Sequence, residues 1–162
     1  MRRQPIKERR LPFSTGVAWN ALTDVETLKA CIPGCVSLTA MSPTEFTVTV
    51  VTGIGPLRTT VKGVIELQRH GEADPPTSYT LRFDGSGRFI GRTQGEAQVQ
   101  LRPDADGRTI LSYGTKARVS GRLAAAGAPI IDIAVQQLAE NFFNRFRDYT
   151  HKFAREARTA SA

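Results

Sequence analysis

The sequence predicts an α+β fold in which one curved antiparallel sheet grips a long C-terminal helix. Three observations predict it. Two short helical patterns in series precede the Pro33-Gly34 turn, alternation with period two runs from Val36 to about Ser120, and a helical period takes over after Gly127-Ala128-Pro129. At 162 residues and 40% hydrophobic content, the chain fits one compact domain, which at this size buries roughly 70% of its unfolded surface. The domain is expected over residues 1–157, with 158–162 as a disordered tail.

Residues 5–13 alternate charge with Ile6, Leu11 and Phe13 and predict a first strand, irregular because Pro5 and Pro12 lack ladder donors. Ser14 or Thr15 caps a helix whose apolar face is Val17-Ala18-Trp19-Asn20-Ala21-Leu22. Asp24 caps a second short helix through Leu28. Cys31-Ile32-Pro33-Gly34-Cys35 then reads as a turn that ends helix and launches sheet.

The strands follow as Phe46/Val48/Val50, Val61/Ile65/Leu67, Tyr79/Leu81/Phe83, Ala97/Val99/Leu101 and Leu111/Tyr113. Their breaks are Ser42-Pro43-Thr44, Gly53-Ile54-Gly55-Pro56, Gly71 to Pro76, Gly85-Ser86-Gly87 and Asp104 to Gly107, all with turn chemistry. This is an antiparallel meander. Beyond it, Ile131, Val135, Leu138, Phe142, Phe146, Tyr149 and Phe153 recur at spacings of three and four, one apolar stripe on a helix of roughly seven turns. Gln136, Glu140, Asn144, Arg147 and His151 fall away from that stripe. A curved sheet rich in Thr and Gly does not fill the groove under such a helix densely, so a pocket is expected beneath Leu138, Phe142 and Phe146, with Phe83 on the sheet side. Phe89 and Ile90, set between glycines, read either as a hairpin tip folded inward or as a gate at the pocket mouth.

The residues Val17 to Leu22, Leu28 to Cys35, Gly53-Ile54-Gly55-Pro56 and Ile130-Ile131-Asp132 to Asn141-Phe142-Phe143 resemble the G-subunit family of carbon monoxide dehydrogenase, within the START-like superfamily, also called SRPBCC. The resemblance covers about residues 5 to 153. It implies a helix-grip fold of six or seven strands around the C-terminal helix, with an apolar cavity between them. It further implies a noncatalytic accessory role beside molybdenum hydroxylase subunits of the carbon monoxide dehydrogenase type, membrane recruitment of that enzyme, and a cavity suited to a quinone-like or other lipophilic molecule. No resident cofactor is expected. Longer members continue into a linker and an apolar tail, whereas this sequence stops at Ala162, so anchoring through such a tail is not expected.

The net charge of +7 raises nucleic acid as a partner, but its distribution argues otherwise. Five basic residues against Glu8 occupy positions 1–10, and five against Asp148 and Glu156 occupy 145–158; the body between holds twelve of each sign. Arg2, Arg3, Arg145, Arg147 and Arg155 therefore read as solvated ends or as contacts to an acidic partner or to lipid head groups at the inner face of the membrane. No apolar run reaches the eighteen or so residues of a membrane span, and the charged N-terminus is unlike a signal peptide, so a cytoplasmic location with reduced thiols is expected.

Other chemistries have thin support. Zinc needs about four ligands, and Cys31 and Cys35 are joined only by His70 and His151. A redox pair usually has two residues between its thiols and a helix N-terminus beside one of them; here three intervene and a helix precedes. Gly85 to Gly91 superficially resembles a phosphate loop, yet no helix follows it. An enzyme of the cyclase or hydrolase kind would rest on Asp132 or Tyr113 for acid-base chemistry. Asp132 lies about 100° from Ile131 and roughly 80° from the stripe centre, where exposure or helix capping is the plainer role. A ligand-free scaffold with a collapsed core is the remaining alternative.

Overall fold

The computed structural model describes residues 2–3, 5–54, 57–74, 76–88 and 91–160, with side chains left out at 2–3, 54, 57, 122–123 and 152–160. In chain order the strands are β1 (Arg2–Arg3), β2 (Lys7–Leu11), β3 (Cys35–Ser42), β4 (Glu45–Ile54), β5 (Leu57–Arg69), β6 (Ser78–Gly87), β7 (Gly91–Pro103) and β8 (Thr109–Val119). The helices are α1 (Thr15–Leu22), α2 (Val25–Cys31) and α3 (Ala128–Ala160), and a short 3-10 segment, Gly121–Ala126, leads into α3. All strands join one antiparallel sheet in the order β1-β8-β7-β6-β5-β4-β3, and β2 shares the β8 edge with β1. The edge strand is thus one strand interrupted at Pro5, as a proline without a ladder donor requires.

Local chemistry sets the entry to the sheet. Ser14 accepts from the Val17 amide at the start of α1, and Asp24 accepts from both the amide and the hydroxyl of Thr27 at the start of α2. At the cysteine turn Gly34 adopts φ +74°, and a Cβ there would lie 2.1 Å from the Val51 carbonyl oxygen. Only glycine fits. The Gly34 carbonyl in turn accepts from Val51 at 2.9 Å, stitching the turn to β4.

Cross-strand register gives each face of the sheet its composition. One row is Lys7, Tyr113, Val99 and Tyr79; the next is Thr115, Ala97, Leu81 and Leu67; then Ala117, Gly95, Phe83, Ile65 and Phe46; then Val119, Thr93, Gly85, Gly63 and Val48. These rows share the inner face, and every apolar position the period-two pattern assigned inward lies on it. Three details differ from expectation. Gly53 and Ile54 continue β4, and Gly85 and Gly87 continue β6, whose break comes after Gly87. Ile6 is 73% exposed on the outer face against Gly114, because Leu11 inward forces Lys7 and Arg9 inward too.

The core is concentrated under α1, α2 and the second half of α3. Leu11, Phe13, Ala18, Leu22, Leu28, Phe46, Leu101, Leu111, Phe143 and Phe146 are all buried there, and Thr109 closes it by donating to the Phe13 carbonyl at 2.7 Å. α3 leans on α2 along one flank and on β8 along the other. It continues to Ala160, through residues 158–160 that the composition placed in a tail.

Candidate functional site

The groove between α3 and the inner face owes its shape to glycine. Phe83 lies flat along the sheet: an ideal Cβ on Gly85 would sit 2.5 Å from its ring, and one on Gly63 would sit 2.8 Å from it. Neither position accepts a side chain without displacing that ring. Beside it Gly95 and Ala117 in the same row, and Ala97 in the next, have almost no height, and the nearest atom to a Cβ on Gly95 is the Phe83 Cβ at 4.0 Å. Phe83, Gly95 and Ala97 on the sheet and Phe142 on the helix above are only half-buried, so side chains do not fill the floor beneath α3.

The roof is α3, turned from its expected setting. Phe142, Phe143, Phe146, Ala139, Tyr149 and Thr150 are buried or half-buried on it, an arc centred about 40° around the helix from the stripe centre. The cause is contact on the β8 side. Phe143 stacks on Tyr113 at 4.3 Å between ring centroids, and Phe142 stands edge-on to Phe143 at 5.0 Å and parallel to Phe146 at 6.1 Å. Glu140, expected to point away, instead pairs with Lys7 of β2. The Lys7 ammonium holds the Glu140 carboxyl below its usual range, and Lys7 is raised in return.

The rotation redistributes the expected pocket residues. Phe146 is fully buried as core, Phe142 and Phe83 are half-buried at the groove, and Leu138 is 45% exposed on the outer margin of α3. Phe89 and Ile90 lie outside the described residues. Asp132 is past the first turn of α3 and does not cap it; with Gln136 it is half-buried on the same flank as Ala139 and Phe143. Phe143 was expected among the core aromatics of the helix, as it is found. Gly63 and Gly95 were not anticipated, because each lies inside a strand pattern away from any turn signal.

One end of the groove gathers the connections. The Ser120 amide donates to the Arg92 carbonyl at 3.0 Å, joining the start of β7 to the segment that leads into α3. Ile130 and Ile133, in the first turns of α3, stay exposed at 49% and 55%. At the opposite end, Tyr113 is 3% exposed, and among the described residues its hydroxyl has no hydrogen-bond partner; at the first end, in the Val119 row, the buried Thr93 hydroxyl has none either.

The remaining candidates are accounted for separately. Cys31 and Cys35 are free thiols; burial pushes Cys31 up to about 11 and raises Cys35 as well, so neither is an activated nucleophile. No group of three or more metal-ligating side chains occurs among the described residues. Arg145 and Arg147 are exposed on α3, Arg147 beside Asp148 at 3.4 Å; Arg2 and Arg3 lie in β1 and Arg155 in α3, their side chains outside the described set. A hollow of about 300 Å³ on the outer face is lined by Ile6, His70, Thr80, Glu96, Gln98 and Lys116, with Tyr79 and Tyr113 also at its wall; of these, Tyr113 was expected as an acid-base candidate. Among the described residues no helix is long and apolar enough to cross a membrane.

Comparisons with known proteins fit this architecture. A conserved protein from Geobacillus kaustophilus is similar over 91% of this chain and 94% of its own, at 26% identity and a TM-score of 0.79. A START superfamily protein from Mycobacterium smegmatis (11% identity, 92% and 97% coverage, TM-score 0.68) and the Zhui aromatase/cyclase from Streptomyces sp. R1128 (14%, 96% and 97%, 0.64) share the fold. No curated protein sequence matches the chain. The family model for the carbon monoxide dehydrogenase G-subunit, CoxG, matches residues 10–150, and with a helix-grip, START-like architecture over nearly its whole length, the chain belongs to the CoxG family.

Proposed function

We propose that this protein is a noncatalytic accessory protein of a carbon monoxide dehydrogenase-type molybdenum hydroxylase, holding a lipophilic, quinone-like molecule in the groove under α3. The observation that carries the reading is the floor: Phe83 laid flat over Gly63 and Gly85, with Gly95 and Ala97 open beside it. A sheet intended only to support a helix would raise bulky side chains there. Phe83 and Phe142 line the groove, Leu138 stands at its margin, and Phe89 and Ile90 gate its mouth. Phe146 supports Phe142 from behind. Arg2, Arg3, Arg145, Arg147 and Arg155 meet an acidic partner surface or lipid head groups, and the protein works in the cytoplasm at the inner face of the membrane.

The unpartnered Tyr113 hydroxyl is the observation that favours an enzyme of the cyclase kind, since such chemistry needs a polar group in the cavity wall. Proton transfer also needs a relay. Among the described residues that hydroxyl has no partner, and the adjacent Lys7 is engaged by Glu140. Tyr113 is therefore read as a binding group. The experiment is organic extraction of the purified protein followed by mass spectrometry, with Leu138→Arg as a variant that places a charge at the groove margin. An enriched apolar molecule in the wild-type extract supports the carrier; its absence from every preparation removes that support.

A further inference from the structure

We infer that Tyr113 is the specificity-determining residue of the groove, its hydroxyl donating a hydrogen bond to an oxygen acceptor, a carbonyl, on an otherwise apolar ligand. The inference rests on the groove being a ligand site and adds what the ligand must carry. Its starting point is a cost. Tyr113 is 3% exposed, and its hydroxyl satisfies no partner among the described residues, although burying such a group unpaired is unfavourable. Phenylalanine would fill the same space without that cost, and the ring already has its contact, the 4.3 Å stack on Phe143.

Among the described residues, neighbouring groups give that hydroxyl no hydrogen bond, although Lys7 lies near enough to interact with it electrostatically. Tyr79, in the same row, stands edge-on to Trp19 at 5.2 Å beneath α1, away from the helix that covers Tyr113. Lys7, directly across the ladder from Tyr113, is drawn to Glu140 on α3. From the Tyr113 row to the Val119 row, six residues along β8, the groove floor passes Thr115, Ala97, Ala117 and Gly95, a span of about 20 Å at the usual rise per strand residue. The connections and exposed isoleucines lie at the Val119 end. A ligand enters there, runs its apolar body along the small residues, and presents its oxygen to Tyr113 at the closed end.

The test compares 2-tetradecanone with tetradecane, each displacing the fluorescent hydrocarbon diphenylhexatriene from the full-length protein, in wild type and Tyr113→Phe. The ketone is expected to bind wild type about tenfold more tightly than the alkane, the range of one net hydrogen bond. Tyr113→Phe should abolish that difference and melt at the same or a higher temperature. A ketone preference that survives in Tyr113→Phe, or that is absent from wild type, overturns the inference while leaving the groove in place. Loss of alkane binding together with a lower melting temperature in Tyr113→Phe shows a structural hydroxyl and overturns it too. Failure of wild type to take up diphenylhexatriene, ketone or alkane defeats the groove reading itself.

Discussion

Replacing Gly85 with alanine tests the groove floor at its tightest point. The new methyl carbon would lie 2.5 Å from the Phe83 Cζ, 3.1 Å from its Cε1 and 2.9 Å from the Lys62 carbonyl oxygen. Carbon pairs prefer 3.5 to 4.0 Å, so the ring must rise by about 1 Å or the paired strands must separate. Overpacking of this kind costs about 1–3 kcal/mol, and a lifted Phe83 ring occupies the groove. Gly95→Val is the matched control, since the nearest atom to its Cβ is 4.0 Å away and its φ is ordinary for a strand. Restoring a β-branched residue there should stabilise the empty protein by about 1 kcal/mol while filling the same space. Urea unfolding gives the stabilities and diphenylhexatriene fluorescence gives the binding. Both variants should bind less dye, with stability changes of opposite sign. Equal stability for Gly85→Ala, or undiminished dye binding by Gly95→Val, would refute the account of the floor.

Thr109→Val removes the donor that satisfies the Phe13 carbonyl inside the core, and urea unfolding should show a loss of about 1–3 kcal/mol. Cys31, raised by burial from 9.0 to about 11, stays protonated when folded. Its contribution is complete below pH 9 and is lost as pH rises through about 11, on the order of 2 kcal/mol; Cys31→Ala should flatten the alkaline limb of stability against pH, and a limb unchanged by the substitution would contradict this. Asp84, Glu96 and Glu140 are all lowered, chiefly by hydrogen bonds from Arg92, Lys116 and Lys7. Their stabilisation is present above their ordinary values near about 4 and disappears as pH falls through the lowered ones, so melting temperature should drop on acidification, less steeply in Glu140→Gln. The double variant Cys31→Ala, Cys35→Ser should bind dye as wild type does, since neither thiol is activated; lost binding in a folded double variant would reopen a role for the pair.

The parts of the fold visible in sequence were those with a local cause. Phe46/Val48, Tyr79/Leu81/Phe83 and Leu111/Tyr113 alternate because one face of each strand is covered, and Pro33-Gly34 marks a turn that only glycine completes. The candidate site depended on longer-range choices. Phe142 and Phe143 offer α3 two apolar faces, and only the stack of Phe143 on Tyr113 decides between them. Lys7 meets Glu140, 133 residues away, because Leu11 sets the parity of β2. Gly85 looks like a hairpin residue until Phe83 is seen to need its missing side chain. A hydroxyl without a partner leaves no trace in a sequence at all.

The central claim is that the groove under α3 holds an apolar ligand, and mass spectrometry of organic extracts from wild-type and Gly95→Val protein tests it most directly. The account predicts an apolar, oxygen-bearing molecule enriched in the wild-type extract and strongly reduced in Gly95→Val purified in parallel. The same molecule at equal abundance in both, or no enriched molecule in wild type, would contradict it.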